Sequence, residues 1–181
     1  MNITYRSINE DELHDEFLKD FERYQEVKND WVKVDGEFVL KFNAHIENWS
    51  EEKKIQKVNK TFKDILESEG ILFGAFENEK LIGFAGCGGL KFGSKKQYIQ
   101  LTELHVSYKH RGWGIGRKLF EYCIEYAEEL SVENLYIVAS SSEESQIAYK
   151  KLGCVYAMEI QPTLFEQDPD DIHMEFSIIN R

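Results

Sequence analysis

Between positions 104 and 119 the chain reads Leu-His-Val-Ser-Tyr-Lys-His-Arg-Gly-Trp-Gly-Ile-Gly-Arg-Lys-Leu, and here the residue types and spacing could do chemistry. Gly112, Gly114 and Gly116 alternate just ahead of a helical pattern. Without side chains the backbone can turn sharply into that helix. Its freed N–H groups then point outward at the positive end of the helix dipole. Arg111 and Arg117 flank the turn, and Trp113 and Ile115 stand between the glycines. Such a turn is an anion cradle suited to a pyrophosphate. Three patterns compete for it. A dinucleotide fingerprint reads G-x-G-x-x-G, whereas the run from Gly112 gives G-x-G-x-G, and no acid about 20 residues on stands at a strand end. A P-loop needs G-x-x-x-x-G-K-[ST], which is absent. The third pattern, [RQ]-x-x-G-x-[GA], is met by Arg111, Gly114 and Gly116, five residues beyond a strand-ending Val106.

The elements that would hold this turn follow from periodicity. Alternation predicts a strand over 2–7. From Glu10 the spacing of Leu13, Phe17, Phe21 and Tyr24 predicts a helix capped by Asn9. Asp35-Gly36 between two alternating runs predicts a hairpin over 31–42. Ser50 caps a second helix whose inward face carries Ile55, Val58, Phe62, Ile65 and Leu66, stopped by Gly70. Strands over 71–76 and 81–87 form a tight hairpin, and a third strand runs over 97–106. A helix over 117–130, a strand over 135–139, a short helix over 146–152 and strands over 155–160 and 172–179 complete the chain. Short links make 71–106 antiparallel. Strand, helix, strand across 98–139 requires a parallel pair. The expected fold class is α/β (α+β): a mixed, mostly antiparallel sheet with helices on both faces.

Composition bounds the partners. The 181 residues fit one domain and carry a net charge of -11 from 22 Lys+Arg and 33 Asp+Glu. That excess argues against nucleic acid, whose phosphates call for a basic face, and is compatible with a cationic substrate. Cys87, Cys123 and Cys154 are three in number, far apart and without a C-x-x-C pair. Neither a disulfide framework nor a metal site is expected, and a reducing, cytoplasmic setting is the simple reading. No apolar run reaches the roughly 18 residues of a membrane span, and the first residues lack the plan of a signal peptide.

The strand over 97–106, the turn from Arg111 to Gly116, the helix after it, the strand over 135–139 and the downstream Ala-Tyr-Lys-Lys-Leu-Gly-Cys ending at Cys154 together resemble the GNAT superfamily of acetyl-CoA-dependent N-acetyltransferases. The resemblance covers roughly 70–160, and it implies one such domain over the whole of 1–181. It implies acetyl-CoA as cofactor and a strand before the glycine turn that splays from its parallel neighbour. Backbone groups left unpaired there, those of Leu104 and Val106 by position, would pair with the pantetheine arm as a substitute strand. The pyrophosphate would lie on the N–H groups of Arg111, Gly112, Trp113, Gly114, Ile115, Gly116 and Arg117. Tyr149 matches the family's tyrosine near the thioester sulfur and would protonate the leaving thiolate. Ser142 stands where the family often carries Asn and is a candidate cofactor contact.

For the chemistry, an amine of pKa about 10 must lose a proton before it attacks a thioester, and the oxyanion needs a donor such as the Val106 N–H. Glu103 is the foremost carboxylate base, with His105 or a water chain ending at Glu103 as alternatives. Gln100 occupies a position where some relatives carry a catalytic glutamate. Trp31 and Glu103 are the candidate acceptor contacts, and aromatic and acidic residues over 30–49 suit a small cationic amine. A protein or peptide N-acetyltransferase and a non-catalytic acyl-CoA sensor are the other readings. Dimers are common in the family, so a homodimer is among the expected partners.

Overall fold

The computed structural model describes residues 2–179. Seven strands form one sheet in the order β1-β4-β5-β6-β7-β9-β8. They are β1 (Ile3–Ser7), β4 (Ile71–Glu77), β5 (Lys80–Cys87), β6 (Tyr98–Val106), β7 (Asn134–Ala139), β8 (Val155–Tyr156) and β9 (Ile172–Ser177), and β2 (Tyr24–Val34) and β3 (Glu37–Asn48) make a separate antiparallel ribbon. β6 and β7 are the parallel pair; every other pairing is antiparallel. The mixed α+β sheet expected from connection lengths is therefore present.

The helices cover both faces. α1 (Glu51–Gln56) passes through a π-helical stretch (Lys57–Phe62) into α2 (Lys63–Glu67), and Ser50 caps it by accepting from the Lys53 N–H. Val58, Phe62 and Ile65 from this helix pack with Leu18, Phe21, Leu72 and Phe84. On the other face α3 (Ile115–Glu129) buries Leu119, Phe120, Cys123, Ile124 and Ala127 against Ile99, Leu101, Leu135, Ile137 and Met174. α4 (Glu143–Leu152) and a short α5 (Pro162–Gln167) follow. All three cysteines are buried and free. Among the described residues no helix is long and apolar enough to cross a membrane.

Three expectations need correction. The helix from Glu10 does not form. Glu10–Glu12 is one 3-10 turn, and the Glu12 carboxylate is used by the Asn9 N–H and by Arg6. Turns with i→i−3 bonds (Phe17 to His14, Lys19 to Glu16, Phe21 to Leu18) carry the chain onward. Leu18 and Phe21 still reach the core, so tertiary burial rather than helical propensity decides this segment. Tyr24 already belongs to β2, and the hairpin spans twice the expected length. Its turn is the expected one, with Asp35 at φ 50 and Gly36 at φ 91, the positive pair that a two-residue hairpin loop demands. Finally, β8 keeps two residues, and α5 opens with Pro162 at its first turn, a helix-start signal that the sequence reading passed over.

One irregularity positions the site. β5 and β6 pair Gly86 with Glu103 but Cys87 with Leu101, leaving Thr102 as the extra residue of a bulge. β6 pairs with β7 only from Tyr98 to Leu101. Beyond the bulge β6 stays with β5 as far as Val106, while β7 stays with β9 as far as Ala139. A bulge bends its strand and re-aims its side chains, so the parallel strands diverge from Thr102 onward.

Phe84 is fully buried between the rings of Phe21, Trp49, Phe62 and His105. Phe84→Ala is expected to lower stability by about 3–5 kcal/mol in urea titration. Phe42→Ala, at a ring 82% exposed, should change it by no more than about 0.5 kcal/mol.

Candidate active site

The glycine turn sits where the sequence reading placed it. Gly112 and Gly114 both have φ 81, and Gly114 is the N-cap of α3 with no side chain bonded to the helix end. The first N–H of α3 to find a helical acceptor is that of Lys118, on the Gly114 carbonyl. Those of Ile115, Gly116 and Arg117 are left for a ligand or water. A Cβ at Gly112 or Gly114 would meet open space, so glycine serves the backbone angle there, not packing. The turn is anchored by Ile115, whose side chain is buried so near Gly83 that a Cβ on that glycine would stand 2.9 Å from it. Arg111 turns back and donates from Nε to the Val106 carbonyl at 3.2 Å, Arg117 donates to the Lys151 carbonyl, and Trp113 is exposed with its ring edge-on to His110.

The gap between the diverging strands is a cavity of about 720 Å³. Leu104, Val106 and Gly116 line one side, Val138 and Ser140 the other, and Tyr149 of α4 reaches in. The Ser107 N–H donates to the Ile82 carbonyl of the neighbouring strand. Alternation along a strand then turns the backbone groups of Leu104 and Val106 away from β5 and toward the gap. Tyr149 is half-buried, and burial pushes its phenol well above the usual range, so it stays protonated. The uncapped helix start, the unpaired edge and the cavity between them fit a long ligand with an anionic end, as coenzyme A requires.

Glu103 and His105 share the opposite face of β6. Glu103 is almost fully buried; its Oε1 accepts from Lys57 Nζ at 2.6 Å, and its Oε2 lies 2.9 Å from His105 Nε2. Burial pushes this carboxyl up, but His105 and Lys57 outweigh it and hold the group below the usual range. Burial, only partly opposed by Glu103, lowers the His105 imidazole, which is therefore neutral near pH 7. Lys57 Nζ lies 4.9 Å from the Trp49 ring, and His105 meets that ring edge-on. His105 lines the cavity, whereas Glu103 stands behind it.

Besides Glu103, the predicted contacts Gly112, Trp113, Gly114 and Ile115 of the turn, Ser142 and Trp31 lie outside the cavity wall. Ser142 is fully buried and caps α4, accepting from Ser145 N–H and from Gln25 Nε2; its neighbours Ser140 and Ser145 line the cavity instead. Trp31 packs against the core beside α4, its backbone N–H donating to the Ser141 carbonyl and its ring 5.4 Å from Lys150 Nζ. Gln100 faces a smaller cavity beside α2 and α5. The sequence reading missed Arg23, Glu26, Glu144 and Asp171, all of which line the main cavity. Burial, with Asp168 and Glu47 nearby, pushes the Asp171 carboxyl up to about 6. Arg23 was hidden in a segment read as helix, and Asp171 in a polar stretch without periodicity.

The comparisons with known proteins come to the same place. The chain superposes on a nourseothricin acetyltransferase with a TM-score of 0.70 at 16% identity, over 98% of this chain and 99% of that one. A PaiA N-acetyltransferase from Thermoplasma acidophilum, solved with coenzyme A, gives 0.63 at 17% identity over 98% and 99%. A GNAT family acetyltransferase from Elizabethkingia anophelis with acetyl-CoA bound gives 0.52 at 21% identity over 65% and 82%. At these identities the likeness shows the fold. Among curated proteins no sequence matches. The model of the acetyltransferase (GNAT) family matches residues 10–154, and the chain therefore belongs to that family of acetyl-CoA-dependent acetyltransferases.

Proposed function

We propose that the protein is an N-acetyltransferase that moves the acetyl group of acetyl-CoA to a primary amine of a small acceptor. The observation that carries the reading is the open backbone edge of β6 beside the uncapped start of α3, with a protonated Tyr149 on one side of the gap and the His105–Glu103 pair on the other. Acetyl-CoA supplies an activated acyl thioester. The glycine turn would hold its phosphates, and Leu104 and Val106 would orient its pantetheine arm.

The acceptor amine arrives protonated at neutral pH. Neutral His105 is the group that takes this proton. With Nε2 turned to Glu103, Nδ1 is the ring nitrogen that keeps a lone pair. Glu103 fixes the ring and offsets the charge it gains, and Lys57 keeps Glu103 ionised. The Val106 N–H is placed to meet negative charge on a carbonyl oxygen, and Tyr149 to give a proton to a thiolate. Tyr24, Gln25 and Glu26 of the β2–β3 ribbon form part of the cavity wall. This roof favours a small acceptor over a peptide. Acids at the wall, Glu26, Glu144 and Asp171, favour an ammonium group. That a neighbouring fold is named for acetylation of nourseothricin is in keeping with a small-molecule acceptor.

Saturating acetyl-CoA should raise the Tm, and thiol release should follow when amines are screened; no Tm shift would contradict the reading. Tyr149→Phe should lower kcat by about 10²–10⁴ with acetyl-CoA affinity unchanged. Because His105 must be neutral to act, kcat/KM should fall as pH drops through a value below about 6.5, and His105→Gln should abolish that acidic limb. Lys57→Met strips the partner from a buried carboxylate and should cost about 3–5 kcal/mol at pH 7. In the wild type the lowered Glu103 adds stability above its unfolded pKa and loses it as pH falls through the folded one. In the variant the folded pKa rises, so the deficit should shrink toward pH 4 as Glu103 protonates. Urea titrations at several pH values check this.

A further inference from the structure

Arg23 is a buried cation whose donors the fold uses only in part and the chemistry above does not use. It is 9% exposed, just ahead of β2, and its guanidinium makes one ion pair, Nη2 to Glu47 Oε2 at 2.9 Å. Its Nε and Nη1 are buried without any acceptor among the described residues. Burying a charged donor unpaired is costly, and a chain that keeps one beside a cavity gains when a ligand supplies the missing acceptor. Arg23 lines the 720 Å³ cavity. It lines the same cavity as His105 and Tyr149, and its guanidinium carbon is 6.0 Å from the Trp49 ring that His105 meets edge-on.

From this placement we infer that the acceptor is an amino-carboxylate, whose carboxylate binds Arg23 while its amine reaches His105. The inference rests on the acetyltransferase reading and names its substrate class. The cofactor's phosphates have their own donors in the glycine turn and Arg117. Arg111, the other cation near Arg23, is already turned onto the Val106 carbonyl. Glu47 already pairs with the Arg23 charge, so what remains is two planar N–H donors, which suit the two oxygens of a singly charged carboxylate better than a doubly charged phosphate monoester. Arginine donors with a fixed planar geometry also suit a carboxylate better than a lysine would. The acids at the wall fit the same molecule. They attract its ammonium end, and the guanidinium selects among the amines that enter.

The test uses amines with and without the acid group: lysine against cadaverine, ornithine against putrescine, phenylalanine against phenethylamine. Each is titrated calorimetrically into the protein, free and saturated with coenzyme A, and assayed for acetyl transfer. In at least one pair the carboxylate-bearing member should bind about 10- to 100-fold more tightly, the range for a hydrogen bond to a charged group. It should lead by a similar factor in kcat/KM. Arg23→Gln should erase the preference and Arg23→Lys restore part of it, each with an unchanged acetyl-CoA affinity and a folded baseline in thermal melts. Equal binding within every pair, binding of neither member of any pair, or a loss of acetyl-CoA affinity in Arg23→Gln in place of acceptor affinity would each overturn the inference. A wild-type protein that discriminates within the pairs yet fails to bind acetyl-CoA would instead remove the acetyltransferase reading.

Discussion

The structure depends on one local failure of β-pairing. A strand inside a sheet normally satisfies its backbone on both sides. β6 does so only up to Leu101, because the bulge at Thr102 turns it away from β7 while β5 keeps its other edge occupied. The cost of opening that edge is borne by the rest of the fold: Ile115 locked against Gly83, α3 packed across β5 and β6, and β7 tied to β9. A gap created in this way is rigid on both walls. Its donors and acceptors are set by the sheet before any ligand arrives, a preorganisation that lowers the ordering cost of binding.

The electrostatics divide sharply between surface and interior. The chain carries a net charge of -11, yet the groups around His105 and the cavity include Lys57, Arg23 and Arg111, each half-buried or more and each with at least one hydrogen bond to a defined partner. An acidic exterior would favour the approach of a cationic acceptor over a neutral one. The buried cations then act over short distances in a medium that screens them weakly. Glu103 shows the consequence. Burial alone would raise its pKa, but Lys57 and His105 reverse the direction.

Much of this was legible in the chain because it rests on local rules. Alternating glycines ahead of a helical pattern signal a backbone turn with positive φ, and Gly112 and Gly114 have it, while Gly116 lies inside α3. The Asp35-Gly36 pair and the Ser50 cap are likewise local, and both formed as expected. Long-range decisions were not legible. Leu13, Phe17, Phe21 and Tyr24 have helical spacing, yet the segment is spent on turns and on the start of β2, because Leu18 and Phe21 find the core without a helix. That misreading concealed Arg23. Ser142 was read by analogy of position, and its hydroxyl proved to be needed by the start of α4. The bulge at Thr102 has no glycine to announce it, and only the pairing register reveals it.

Amide hydrogen exchange at Leu104 and Val106 tests the central claim most directly, since these N–H groups should have no partner until the cofactor's arm lies along the edge. The account predicts fast exchange at both positions in the free protein and strong protection once acetyl-CoA is added, while the Leu101 amide, inside the parallel pair, is slow throughout. Slow exchange at Leu104 and Val106 without ligand, or exchange there that acetyl-CoA leaves unchanged, would contradict it.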